Sequence, residues 1–480
     1  MKMRTLHASV AALLLSAAAF PAQAQTVEEL QRQIDELKAQ VKALSEARVP
    51  AAQPAPVQAA PPVAAAPAVA APPPAATAPP EVQLASATPT AREGSADKPW
   101  YERLQLRGYT QLRYNGFISG DSSAPDGRSR LRSVHDSSIN DDGGFLLRRV
   151  RLALQGDITD RLQLYLQHDF GTAVNNQSSV ERRENFGQLR DAYVDVFFDK
   201  DKSFRLRLGQ SKVPYGWENL QSSSNRLTLD RSDAINSGVP GERDVGVVAY
   251  YTPPRVKAIW DRLEENGQKL FGNYGAFALA LFNGQGTNRT ERNDSLMKVA
   301  MATWPFELDG LGGMFRGQVL ELGASGILNK YRPEVRTGGV SDIDFDDNRV
   351  GIHAILYPQP FGIQAEWNWG RGPEYDFDLL GIREKKLSGG YVQLMYDPGE
   401  LRIGRLIPYG RWQRYRGGWK AATNAPRLET DEFELGVEWQ FLEELELTIA
   451  YANMHRREAD ERRLGRARGD LIRTQLQFSY

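Results

Sequence analysis

The chain has no cysteine, which excludes disulfide staples and thiolate chemistry alike. Its five histidines include no pair at metal-ligand spacing, so neither a metal nor a cofactor is expected. A formal net charge of -1 argues against a nucleic-acid binder, which is normally basic. Hydrophobic residues make up only 41%, and beyond the N-terminus no apolar run is long enough for a transmembrane helix. That last absence leaves one membrane architecture open. A barrel strand shows only alternation, because half of its side chains face water.

What is present begins with an address. Lys2 and Arg4 precede the apolar stretch Ala8 to Phe20, and Ala22-Gln23-Ala24 is a small-x-small cleavage site. Residues 1-24 read as a signal peptide that delivers the mature chain outside the cytoplasm of a bacterium. Val27, Leu30, Ile34, Leu37, Val41 and Leu44 then follow at alternating spacings of 3 and 4. This is a heptad seam, β-branched at a and Leu at d. We expect an oligomerisation helix over 25-49, too short to set stoichiometry alone. Residues 50-98 are dominated by Ala, Pro and Val from Pro50 to Pro80 and cannot bury a core, so they read as a periplasmic spacer.

From residue 99 onward, period-2 stretches recur at short intervals. They lie at 104-117, 145-156, 161-170, 188-198, 203-212, 243-252, 273-283, 295-306, 317-330, 347-358, 361-370, 386-397, 405-416, 431-441, 444-455 and 470-480. Their even number and their lengths suit tilted strands crossing a bilayer. Long polar connections alternate with short ones, as external loops and periplasmic turns do in outer-membrane barrels. The segments 253-272 and 307-316 are too long for tight turns, and the first suits a short helix. Strands running toward the short-turn side end on Phe198, Tyr251, Trp304, Tyr357, Tyr396, Phe441 and Tyr480, which read as an interfacial girdle. The expected fold is all-β: a 16-stranded antiparallel barrel over 99-480 whose last strand pairs with its first.

Parity assigns the lumen. With Val150, Leu152 and Leu154 toward lipid, Arg149, Arg151 and Gln155 point inward. Likewise Asp191, Tyr193 and Asp195 point inward, as do Arg205, Arg207, Arg411 and Arg473. Glu432, Glu434 and Glu438 face inward from the fourteenth strand. An arginine facing lipid at mid-depth would cost about 2–4 kcal/mol, which turns these side chains inward. Arginine forks suit phosphate or carboxylate. Two readings remain open at this level: these charges capture anions, or they satisfy one another and keep the lumen wet.

The stretch Arg205 to Ser232, "RLRLGQSKVPYGWENLQSSSNRLTLDRS", resembles the phosphate-selective porin O and P family, as do "RRVRLALQGDI", "LRDAYVDV" and "LFNGQG". The resemblance implies a trimer of sixteen-stranded pores with the third loop folded inward. It also implies a constriction built from Arg148 and Arg149, Asp191, Ser222 and Ser223, to which parity adds Arg151, Arg205 and Arg207, and the loop adds Arg226 and Arg231. Phosphate-specific members carry a lysine before those serines, where this sequence has Glu218-Asn219. Adjacent Arg148 and Arg149 cannot both face inward from a regular strand, so one of them needs a bulge or a place in the loop.

"SDIDFDD" has calcium-loop spacing but places Asp347 where glycine is required, so it reads as an acidic loop. No Ser-His constellation faces one site, and no catalysis is expected. The expected function is an outer-membrane channel, in contact with membrane lipid, that favours phosphate or other small anions in transit. The alternatives are a general porin for small polar solutes and a structural anchor whose coil binds periplasmic partners.

Overall fold

The computed structural model describes residues 99-480 apart from 125-128, 132-137, 140-142, 173-184 and 461-464. The expected signal peptide, coil and spacer therefore lie outside the described residues. Among the described residues no helix is long and apolar enough to cross a membrane.

The barrel is built from β1 (Gln105–Gly120), β2 (Gly144–Thr159), β3 (Leu162–Thr172), β4 (Phe186–Phe197), β5 (Phe204–Lys212), β6 (Arg243–Tyr251), β7 (Phe277–Phe282) and β8 (Met297–Glu307). It continues through β9 (Val319–Leu328), β10 (Asn348–Leu356), β11 (Phe361–Asp376), β12 (Gly381–Tyr396), β13 (Gly404–Gly418), β14 (Arg427–Leu442), β15 (Leu445–Ala459) and β16 (Ala467–Ser479). Each pairs antiparallel with its neighbours in sequence. β1 also pairs with β16, so the 16-stranded sheet closes on itself. A two-residue strand, Glu400–Leu401, pairs only with β13 and adds no stave. Closure matters because an open sheet this large would leave two unpaired edges.

The seam is sealed at its inner end by Gly108 and Tyr480. The Gly108 N–H donates to the Tyr480 carbonyl at 2.6 Å, and the Tyr480 N–H returns to the Gly108 carbonyl at 2.9 Å. Glycine is required at 108, since a Cβ there would meet the Arg151 carbonyl oxygen of β2 as well as the Tyr480 ring at 2.6 Å.

Alternation is visible in the exposure of each strand. On β5, Phe204 and Leu208 are exposed while Arg205 and Arg207 are buried. Phe198, Tyr251, Tyr396 and Tyr480 are exposed as expected of interfacial rings. Tyr357 departs from that girdle. It has the inward parity of Ile355, is buried, and donates its hydroxyl to Glu321 at 2.7 Å. A second correction concerns 371-385, expected as a long loop. There β11 and β12 continue in register to Asp376↔Gly381, so only four residues form the turn. Above the membrane both faces are wet, so the ladder persists without the apolar alternation that reveals it.

The long inner-side connection 252-276 carries the expected helix, α3 (Pro254–Glu265). Its Val256, Ile259, Trp260 and Leu263 pack with Leu270 and Phe271 against Tyr250, Ala278, Val299, Ile355 and Tyr357 on the inside of β6 to β10. Trp217, Leu220 and Val239 from the β5–β6 loop join this cluster. β7, "FALALF", is therefore apolar on both faces: Phe277, Leu279 and Leu281 look outward while Ala278, Ala280 and Phe282 lie buried. The interior along part of β6 to β10 is thus a conventional hydrophobic core, beside which Arg243, Glu321 and Arg349 also lie buried on those strands.

Candidate functional site

The loop 213-242 folds into the barrel, carrying α1 (Trp217–Leu220) and α2 (Asp233–Asn236). Its course is fixed by the acids it carries. Asp230 is held by Arg113 of β1 at 3.1 Å, by Arg473 of β16, and by Arg148 of β2 at 3.8 Å. Burial alone would raise its carboxyl, but Arg113, Arg473 and Arg148 hold it well below the usual range. Glu218 pairs with Arg411 of β13 at 2.7 Å. Asp233 accepts from Arg456 of β15 and from Thr430 of β14 at 2.6 Å. The backbone N–H groups of Trp217 and Glu218 donate to Glu366 of β11 at 2.7 and 2.6 Å. The loop thus spans the lumen and touches walls far apart in sequence.

The root of the loop is pinned by a second cluster. Glu242 lies among Arg231 at 2.6 Å, Arg243 at 2.6 Å, Arg190 at 3.6 Å and Lys212 at 3.7 Å. Burial opposes its charge, yet Arg231, Arg243 and Lys212 hold it well below the ordinary carboxylate range. Lys212 also donates to the carbonyls of Leu220 and Gln221 at 3.0 and 2.8 Å. Its ammonium therefore serves as a clasp on the loop.

Two β-bulges shape the arginine wall. Gln111 pairs with Arg149 but Leu112 pairs with Leu147, so Arg148 is an extra residue. That is the irregularity two adjacent inward arginines require. In β4, Gln167 pairs with Asp191 but His168 pairs with Leu189, leaving Arg190 as the extra residue. Each bulge adds an arginine to the interior and shifts the sequence parity by one, so that Leu147 and Leu189 face outward beyond it.

The residues expected from sequence fall into two electrostatic groups. In the first, each arginine has a carboxylate. Arg207 makes a two-point bond to Asp195 at 2.8 Å on both oxygens, and Arg205 reaches the same carboxylate at 3.4 Å. Arg207 also lies 3.7 Å from the Tyr193 ring centre. Arg151 pairs with Asp169 at 2.8 Å and donates to Tyr109 and Ser223, both at 2.9 Å. Asp191 is taken by Arg243 at 2.8 Å, and Arg231 by Glu242. Ser222 bonds Ser224 at 2.8 Å, and Ser223 bonds Tyr109 at 2.6 Å.

Arg149 and Arg226 form the second group. Arg149 is buried and donates to the neutral Gln111 amide oxygen at 2.7 Å. The charges of Arg148, Arg151 and Arg226 bear on it. Arg226, from the loop, is buried with its Nε unpartnered. Burial and the neighbouring Arg231 push its guanidinium down to about 10, leaving it charged at neutral pH. Among the described residues, neither Arg149 nor Arg226 has a carboxylate at ion-pair distance. The acidic wall is neutralised by contrast: Glu438 pairs with Lys269 at 2.7 Å, Glu434 with Arg473 at 3.7 Å, and Glu432 with Arg456.

Sequence reasoning missed Asp230, Glu242, Arg113 and Arg243. Arg113 was readable from parity on β1. The two acids sit in a loop, where no periodicity reveals direction.

The model of the family described as "Phosphate-selective porin O and P" matches residues 130-480. The chain belongs to that family. It is thus an outer-membrane porin, a channel of the bacterial outer membrane. No curated protein matches. Among solved structures, the chain is similar to the outer membrane channel DcaP of Acinetobacter baumannii at 15% identity and a TM-score of 0.48, over 78% of this chain and 97% of that one. It is also similar to OmpF of Salmonella typhi, solved in complex with daunomycin, at 11% identity and a TM-score of 0.47, with 78% and 97% covered. An anion-selective porin from Comamonas acidovorans aligns at 11% identity and a TM-score of 0.45, with 78% and 99% covered.

Proposed function

We propose that this porin is an anion-preferring diffusion channel for phosphate or other small anions, with Arg149 and Arg226 as the cations that attract the ion. The supporting observation is that, among the described residues, these two buried guanidinia, one from the wall and one from the inward loop, have no carboxylate at ion-pair distance while their neighbours do. Unpaired cations in a narrow passage with low-dielectric walls focus the field and raise local anion concentration. The surrounding pairs Arg151–Asp169 and Arg207–Asp195 keep the walls polar without deepening the well. That restraint matters, because an ion bound too tightly does not leave.

The reaction class is passage, with no chemistry. We further propose that the protein works as a homotrimer, with its coil and spacer in the periplasm. A general porin for small polar solutes is favoured by one specific observation. Lys212, the lysine nearest the loop serines in sequence, is committed to the carbonyls of Leu220 and Gln221 and to Glu242.

Reversal potential in a salt gradient separates the two readings. Arg149→Gln combined with Arg226→Gln should move it toward cations. Phosphate block of chloride current should weaken about 10- to 100-fold, corresponding to loss of about 1.5–3 kcal/mol from a charge-assisted hydrogen bond. If the double variant keeps the wild-type reversal potential, the anion reading fails and the general porin reading stands.

A further inference from the structure

Among the described residues, the outer wall over β11 to β13 carries four cations that no carboxylate neutralises. On β11 and β12 the inward residues are Gln364, Glu366, Tyr391 and Gln393, all buried, so the opposite parity places Arg371 and Lys386 outside. They are direct cross-strand partners. On β13, Arg411, Gln413 and Tyr415 are buried within the barrel, which places Arg414 and Arg416 outside. Arg371, Lys386 and Arg416 are exposed, and Arg414 is half-buried. Among the described residues, none of the four makes an ion pair.

The acids that could have neutralised them are engaged elsewhere. Asp431, the cross-strand partner of Arg414, accepts the Trp412 indole N–H at 3.0 Å. Glu429, opposite Arg416, is held by Arg427 at 2.9 Å, Arg457 at 3.5 Å and Arg466. The cationic surplus is therefore local and directed outward.

Depth gives the patch its meaning. The same β11–β12 outer face carries the Phe361–Tyr396 ring pair, with centres 4.9 Å apart, at its inner end. Arg371 and Lys386 lie ten residues along each strand from that pair. At about 3.3 Å per residue and a tilt of about 40°, ten residues rise about 25 Å, the height of the apolar band of an outer-membrane barrel. Trp367 and Trp412 stack 6.0 Å apart on this same face, nearer the middle, and Trp369 is exposed beside them. Arg371 and Lys386 thus stand at headgroup level on the side of the long loops, and Arg416 and Arg414 descend from there on β13 in the ladder rows of Trp369 and Trp367, beside aromatic faces that suit acyl chains.

We propose that Arg371, Lys386, Arg414 and Arg416 form a docking site for the phosphoryl groups of an outer-leaflet glycolipid, whose acyl chains lie on Trp367, Trp369 and Trp412. The arginine forks supply the phosphate geometry, and basic side chains at a membrane surface attract anionic headgroups by about fivefold each. The site is on the opposite face of the wall from the lumen, so it is independent of what the channel conducts.

The experiment uses the full chain folded in detergent, with bisphosphorylated and dephosphorylated lipid A as probes and native mass spectrometry to count retained lipid. The wild-type protein should retain the bisphosphorylated form preferentially. Arg371→Gln, Lys386→Gln, Arg414→Gln and Arg416→Gln together should weaken that retention by at least about tenfold. A variant with the three arginines replaced by lysine should stay close to wild type. Single-channel conductance reports folding and should not change, since these residues lie outside the lumen. Equal retention of the two lipids by the wild-type protein would overturn the proposal, and that comparison needs no variant to fold. Unchanged retention by the glutamine variant would overturn it too, as would loss of oligomers with lipid retention intact, which would make the patch a contact between copies.

Discussion

Replacing Asp230 with Asn should loosen the inward loop and shift the channel toward anions at once. Arg113, Arg148 and Arg473 converge on the Asp230 carboxylate, and the Arg113 and Arg473 side chains are 0% and 1% exposed. At 3.1 Å and an effective dielectric of about 20, one such pair has a gross attraction of about 5 kcal/mol. Desolvation offsets much of this. Removing one partner while leaving the other charge buried nevertheless costs about 3–5 kcal/mol. Two latches remain, Glu218–Arg411 and Asp233–Arg456, so the loop should not be released whole. Its Asp230 segment should detach between about a hundredfold and a few thousandfold more often. Single-channel recording should show frequent brief current steps absent from the wild type, and the loss of the Asp230 charge beside Arg113 and Arg473 should move the reversal potential toward anions. Asparagine keeps the shape of the side chain, so a cavity cannot explain either change. A quiet channel with unaltered reversal potential would refute the claim that this carboxylate holds the loop.

The same carboxylate sets a pH dependence. Its folded value is depressed below the detached value of about 3.9, so its stabilisation is complete above about pH 4 and is lost as pH falls through the lower folded value. Current noise should therefore stay constant from pH 8 to pH 5 and rise only in stronger acid, and a rise near pH 6 would contradict it. Deletion of Arg148 should be tolerated, because it removes the extra residue of a bulge and leaves Gln111↔Arg149 and Leu112↔Leu147 in one ladder. Deletion of Leu435, within a regular stretch of β14, should abolish assembly by turning a run of acids toward lipid. Heat-modifiable migration on gels reads both outcomes.

The strands were legible because lipid enforces a binary choice at every residue within the membrane. Val150, Leu152 and Leu154 declare one face, so Arg149 and Arg151 must occupy the other. That constraint ends at the headgroups, which is why the upper β11–β12 hairpin was hidden. Lys385, Glu374 and Asp376 pair there across wet strands, and no alternation marks them. The adjacency of Arg148 and Arg149 carried more than periodicity did, since it demanded either a bulge or a place in the loop, and the structure has the bulge. The same adjacency logic applies to Arg190 and Asp191 and went unused. Pairing was not legible at all. Which arginines are neutralised depends on register between segments such as Asp230 and Arg473, 243 residues apart in sequence. Direction is local, but neutrality is a property of the closed barrel.

The ladder between β1 and β16 has a kinetic consequence. Tyr109 finds its partner in Ser479, so the final seam joins residues about 370 apart. Holding the ends of such a loop together costs about 5 kcal/mol of chain entropy, against about 1 kcal/mol for a four-residue hairpin. Neighbouring strands can zip as soon as they emerge, whereas this seam can form only after every other stave exists. Until then the sheet has two raw edges, each a template for the wrong chain. Assembly of this wall is therefore governed by its slowest and least local step, and a factor that shelters the two edges would speed it without adding a single native contact.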